Sequence, residues 1–193
     1  MKLWEVLATG SLIAVAAAAV GTGTLSVRWG DDDTKLIAAL PKSQHTLEAA
    51  IAQAAKAPET AISAKFELED KGDLSLSVYT AEKGLGVDAE HNILKEISGS
   101  PESATWKTET EVFKDVEHVS RASEQLTIMA LSKMSLTDVI KKAEKDQSGT
   151  IYSVTPKMRD RKAVFVVLVA PKDKPVELVY DAMTGNPIAP ARR

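Results

Sequence analysis

The sequence predicts an α+β protein of two similar units, each a helix packed on a small antiparallel β-sheet, joined by a helical linker. Two observations carry that prediction. The chain repeats itself weakly at a spacing of 89 residues, so that Thr46-Leu47 falls on Ser135-Leu136, Ile51 on Ile140, Ala54 on Ala143 and Ile62 on Ile151. Within each copy the apolar period then shifts from about 3.6 to about 2, the change from a helix with one buried stripe to strands with one buried face. At 193 residues with 44% hydrophobic content, the chain has enough apolar material to bury a core around such units.

Residues 1–30 differ from the rest. Lys2 is followed by an apolar run over 12–20 and by small residues over 16–23, the order of a secretory signal with its cleavage zone in 16–23. The nearly continuous stretch 3–25 also suits a retained N-terminal anchor, and a buried helix is a third reading. The first two readings put the remainder outside the cytoplasm. The expected location is therefore periplasmic or extracellular, anchored to the membrane if the segment is retained.

The first unit spans 34–97 and opens with a short apolar segment at 35–42. Thr46 offers a hydroxyl to cap a helix whose buried stripe is Leu47, Ile51 and Ala54, and Pro58 closes it. Phe66 and Leu68 then alternate with Glu67 and Glu69, Lys71-Gly72-Asp73 turns the chain, and Leu74, Leu76 and Val78 alternate with Ser75, Ser77 and Tyr79. A third short strand is expected around Leu85 and Val87, running into Asp88-Ala89-Glu90-His91-Asn92. The linker, 98–133, begins as a loop over 98–103 by composition. Its second part reads as a helix over 109–133, with Val112, Val116, Val119, Leu126 and Met129 on one stripe and a break near 120–123. The second unit, 134–190, repeats the pattern after an apolar segment at 126–133. Ser135 and Asp138 form a capping-box pair, Leu136, Val139, Ile140 and Ala143 make the stripe, and Gly149 ends the helix. Strands are expected over 151–155, 163–170 and 176–180.

A capped Ser/Thr-Leu helix, an Ile-led strand entry, a hairpin and a closing Asp-Ala turn together resemble the PepSY family. The resembling residues are Thr46, Leu47, Ile51, Ile62, Phe66, Val87, Asp88 and Ala89 in the first copy. In the second they are Ser135, Leu136, Ile140, Ile151, Val179, Tyr180, Asp181, Ala182, Thr184 and Gly185. The second closing motif is complete, whereas Glu90-His91-Asn92 stands where the first would need Thr-Gly. The resemblance implies a small secreted or cell-envelope module, related to the propeptides of secreted peptidases, that holds peptidase activity in check by binding. It carries no catalytic residues and no cofactor with it.

The residues themselves point the same way. A net charge of −3 gives no support for phosphate neutralisation, so nucleic acid is not an expected partner. The absence of cysteine removes disulfides, thiolate metal sites, cysteine nucleophiles and a lipid-bearing cysteine. His45, His91 and His118 are scattered without paired-ligand spacing, and no metal site is expected. Gly84-Leu85-Gly86 lacks a third glycine, and no Gly-x-Ser-x-Gly elbow occurs, so the chain is expected not to be an enzyme, with an unrecognised hydrolase site as the alternative. Residues 163–170 are apolar at both parities, which fits either a central strand covered on both sides or a strand awaiting a partner. The candidate partner surface is therefore Phe165, Val167 and Val169 with the basic hairpin residues Arg159 and Arg161. The expected partner is a protein, a peptidase by the resemblance, with membrane contact only through an uncleaved N-terminal segment. Asp88, Asp181, Thr184 and Gly185 read as structural turn residues, Asp88 being the expected counterpart of Asp181. The rival reading is a structural or small-ligand-sensing envelope protein that self-associates.

Overall fold

The computed structural model describes residues 31–171 and 174–188; the expected signal or anchor segment lies outside them. The chain forms α1 (Asp31–Ala39), a 3-10 turn (Leu40–Lys42), α2 (Leu47–Ala54), β1 (Thr60–Leu68), β2 (Leu74–Ala81) and β3 (Leu94–Gly99). There follow β4 (Glu109–Val112), α3 (Val116–Leu131), α4 (Leu136–Asp146), β5 (Thr150–Arg159), β6 (Lys162–Ala170) and β7 (Val176–Asp181). All seven strands join one antiparallel sheet in the order β4-β3-β2-β1-β5-β6-β7. The class is α+β.

Side chains at helix entry decide where the helices start. Thr46 Oγ1 accepts the Ala49 N–H at 3.2 Å, and Asp115 Oδ1 accepts the His118 N–H at 3.0 Å. At α4 the box is reciprocal: Ser135 Oγ accepts the Asp138 N–H at 3.1 Å, and Asp138 Oδ2 accepts the Ser135 N–H at 3.0 Å.

Strand alternation sorts the layers. Ala64, Val154, Val167 and Leu178 lie in register across β1, β5, β6 and β7, and Tyr180, two residues along on the same face, donates its hydroxyl to Asp146 of α4 at 2.9 Å. Helices α2 and α4 cover this face. Ser63 and Lys65 point the other way, where Ser63 Oγ meets Gln125 Oε1 of α3 at 3.0 Å in the buried interior. The sheet is thus sandwiched between α2 and α4 on one side and α3 on the other, and one hydrophobic cluster draws on every strand except β4.

The sheet is centred on a short joint. β1 and β5 pair only at Ala64↔Val154 and Lys65↔Ser153. Each of these strands bulges two residues before that joint, at Ile62 and at Tyr152, in its pairing with the next strand outward. Spacing between matching positions is 89 at the helix caps and 90 at the bulges and the β1–β5 joint.

Three sequence expectations are corrected. The third strand is Leu94–Gly99, not the stretch around Leu85 and Val87, which Gly84 (φ 78) and Asn92 fold into a loop: the Asn92 amide donates to the carbonyls of Gly84 and Val87 at 2.9 and 3.0 Å. The linker region contains β4, so its helix begins at Val116 and not at 109. That helix runs unbroken through 120–123, where the Ser123 hydroxyl donates to the Val119 carbonyl at 2.6 Å within the helix.

Candidate functional site

The basic hairpin and the apolar strand part company on folding. β5 and β6 are joined by Asp160 and Arg161 with φ of 50 and 64, the left-handed pair that a two-residue hairpin turn needs. Arg161 is exposed at this tip. Arg159 is committed elsewhere: its guanidinium donates to both carboxylate oxygens of Glu177 on β7, at 2.6 and 2.9 Å. That hydrogen bonding holds the Glu177 carboxyl below the ordinary carboxylate range, against the opposing effect of burial. Phe165, Val167 and Val169 are each 0% exposed, on a strand hydrogen-bonded on both edges. The partner surface expected on β6 is corrected accordingly. Both parities are apolar because both sides are covered, Val164 and Val166 on the α3 side being buried as well.

The closing turn is built around one carboxylate. Asp181 Oδ1 accepts the N–H groups of Met183 and Thr184 at 3.0 and 2.9 Å and the Thr184 hydroxyl at 3.1 Å. These bonds, the Thr184 N–H first, lower the Asp181 pKa. Gly185 (φ 71) donates its N–H to the Asp181 carbonyl at 2.8 Å, and a Cβ there would lie 2.6 Å from Met134 Sδ.

Asp88 does not occupy the matching place. It sits in the β2–β3 loop, where its carboxylate accepts the His91 N–H at 3.1 Å and contacts His91 Nδ1 at 2.9 Å, whereas Asp181 ends β7. The residue that follows β3 is Ser100, whose hydroxyl accepts the Glu102 N–H at 3.4 Å as Asp181 accepts Met183. The next carbonyls match too: Pro101 O takes the Gln44 N–H at 2.9 Å, and Ala182 O takes the Ser132 hydroxyl at 2.8 Å. Each closing turn is thus tied to the segment leading into its helix.

Asp88, Glu90 and His91 bring ligand-capable atoms within 4.8 Å of one another, all on exposed side chains. The other histidines are engaged locally, His45 Nε2 with the Ser103 carbonyl oxygen at 2.7 Å and His118 Nδ1 with Asp115 at 2.8 Å. Two cavities flank the packed helices α2 and α4. One, of about 380 Å³, lies between the start of α2 and the end of α4; the other, of about 330 Å³, lies between the end of α2 and the start of α4. At the sheet edges, Ile188 N–H donates to the Val179 carbonyl at 2.8 Å and begins to cover β7, while all four residues of β4 are exposed. No helix of the described residues is long and apolar enough to cross a membrane.

The architecture of the second half, a capped helix, three antiparallel strands and an Asp-Ala-x-Thr-Gly closing turn, coincides with a family match. Residues 133–189 match PepSY, the peptidase propeptide and YPEB domain. The PepSY segment starts just before the Ser135 cap and takes in α4, β5, β6, β7 and the Asp181 turn. No curated protein matches the chain. Among solved structures, a Clostridium difficile 630 protein proposed to be a lipoprotein is similar at 13% identity and a TM-score of 0.35, over 67% of this chain and 79% of that one.

Sequence reasoning missed β4 and the charged rim of the first cavity. A signal for the rim was present: at the 89-residue spacing, His45, Glu48 and Glu144 stand opposite Met134, Thr137 and Ala55.

Proposed function

We propose that the chain is an exported, non-enzymatic binding protein of two PepSY-like units, and that it regulates an extracytoplasmic peptidase by binding it. The observation that carries this reading is the PepSY match over residues 133–189. Support for a second unit in the first half comes from the paired caps at Thr46 and Ser135, the paired bulges at Ile62 and Tyr152, and the closing turns after β3 and β7. On this reading the first unit runs from the apolar segment at 35–42 to the turn at Ser100, slightly beyond the end at 97 expected from sequence. Export rests on the signal-like composition of residues 1–30.

The partner surface moves from β6 to the sheet edge. β4 presents a full edge of exposed residues, Glu109, Thr110, Glu111 and Val112, to which an extended segment of a partner can add as another strand. Arg161 at the β5–β6 tip remains exposed for a second contact. Isolation of the tagged full chain from the extracytoplasmic fraction of its own cells tests the reading. Co-purification of a peptidase whose turnover falls in the complex supports it; self-association of the chain with no peptidase bound overturns it in favour of a structural envelope role.

A further inference from the structure

We propose that the cavity between the start of α2 and the end of α4 binds an organic cation, an amine or guanidinium carried on an apolar body. The two cavities beside the α2–α4 pair are built from matching residues. At the 89-residue spacing, Leu40 in one corresponds to Met129 in the other, Ser43 to Ser132, and Leu47 to Leu136, while Ile51 and Ile140 exchange places. Where the linings differ, the differences are mainly ones of charge. The first cavity has His45, Glu48 and Glu144 where the second has Met134, Thr137 and Ala55. The second also carries Lys133 and Glu59, the latter 3.3 Å from Lys95 Nζ, and its Met134 packs against Gly185 of the closing turn. One end of a near-symmetric framework thus carries one base and one acid already paired with Lys95, and the other carries two carboxylates over an apolar floor that includes Phe66 and Ile151.

Charge at that end is only partly answered from within the chain. Lys141 Nζ lies 3.5 Å from Glu48 Oε1, while Glu144 takes part in none of the ion pairs among the described residues. The carbonyl end of α4 adds negative potential beside Glu144, and Glu48 in the first turn of α2 offsets the opposite pole of that helix. A volume of about 380 Å³ is at the small end for ligand pockets, enough for a short alkyl chain ending in a cation. Such a group reaches the site either as a free amine or as a lysine or arginine side chain of a partner protein. The site stands apart from the peptidase reading, since a peptidase that binds elsewhere leaves it intact.

The test follows backbone amide shifts of the full chain in titrations with hexylamine, with hexanoate of equal length, and with a blocked tripeptide carrying a central lysine. Saturable shifts confined to the lining, around His45, Ile140 and Thr150, are expected with the amine or the peptide and not with hexanoate. The stronger of the two identifies the source. Glu144→Gln, an exposed change that leaves the melting temperature in place, should weaken cation binding by about tenfold, the loss of one charge-assisted hydrogen bond. Equal response to hexanoate, shifts elsewhere or none, or unchanged affinity in the Glu144→Gln variant each overturn the proposal.

Discussion

Replacing Gly185 by valine asks whether the closing turn is held for its geometry or for its chemistry. Gly185 adopts φ 71, a region that costs a residue bearing Cβ about 1–2 kcal/mol, with β-branched side chains at the upper end. The new Cβ would also lie 2.6 Å from Met134 Sδ. That sulfur is near the end of a flexible side chain and can move, so the overpacking adds about 1–2 kcal/mol. The expected loss is about 2–4 kcal/mol, which lowers the melting temperature by roughly 5–15 °C for a domain of this size. Thermal and urea unfolding followed by circular dichroism measure it. Gly185→Asn should cost less, because asparagine tolerates left-handed backbone. A valine variant that melts with the parent refutes the geometric reasoning, and one that keeps its stability but loses its partner makes the turn a chemical site.

Arg159→Ala should destabilise by about 1–3 kcal/mol, because it strands Glu177 half-buried on β7. Glu177 has a lowered folded pKa, so its contribution is full above the ordinary carboxylate range and is lost as pH falls through the folded value. Urea midpoints measured from neutral to acid pH should therefore slope less in the Arg159→Ala variant than in the parent. Ser135→Ala removes a capping box and should cost about 1 kcal/mol in the same assay. Phe165→Ala should cost about 3–5 kcal/mol as a core truncation; unchanged stability with lost partner binding would instead restore β6 as a docking strand.

Local grammar was legible wherever a single side chain decides it. Thr46 and Ser135 announced the helices they cap, alternation announced β1 and β2, and strands were expected where β5, β6 and β7 lie. Long-range decisions were not. Asp88 matched Asp181 in spelling, but the β2–β3 connection is longer than the β6–β7 one, so the residue in the matching place is Ser100, which has no carboxylate to advertise it. β4 is four residues, two of them glutamate, and takes its strand form from pairing with β3. The both-face apolarity of β6 was visible, but its cause was not: β6 pairs with β5 and β7 and both its faces are buried, and the short joint at Ala64 and Val154 that merges the two sets of strands into one sheet has no local signal. The rim of the first cavity was written in the mismatches of the repeat, His45, Glu48 and Glu144 against Met134, Thr137 and Ala55.

The most direct measurement of the proposed role is a titration of a peptidase recovered from the extracytoplasmic fraction with the purified full chain. Peptidase activity should fall linearly to a floor at a fixed molar ratio, with the chain itself uncleaved and the complex isolable at that ratio. Turnover that stays constant across the titration, with no complex formed, contradicts the role.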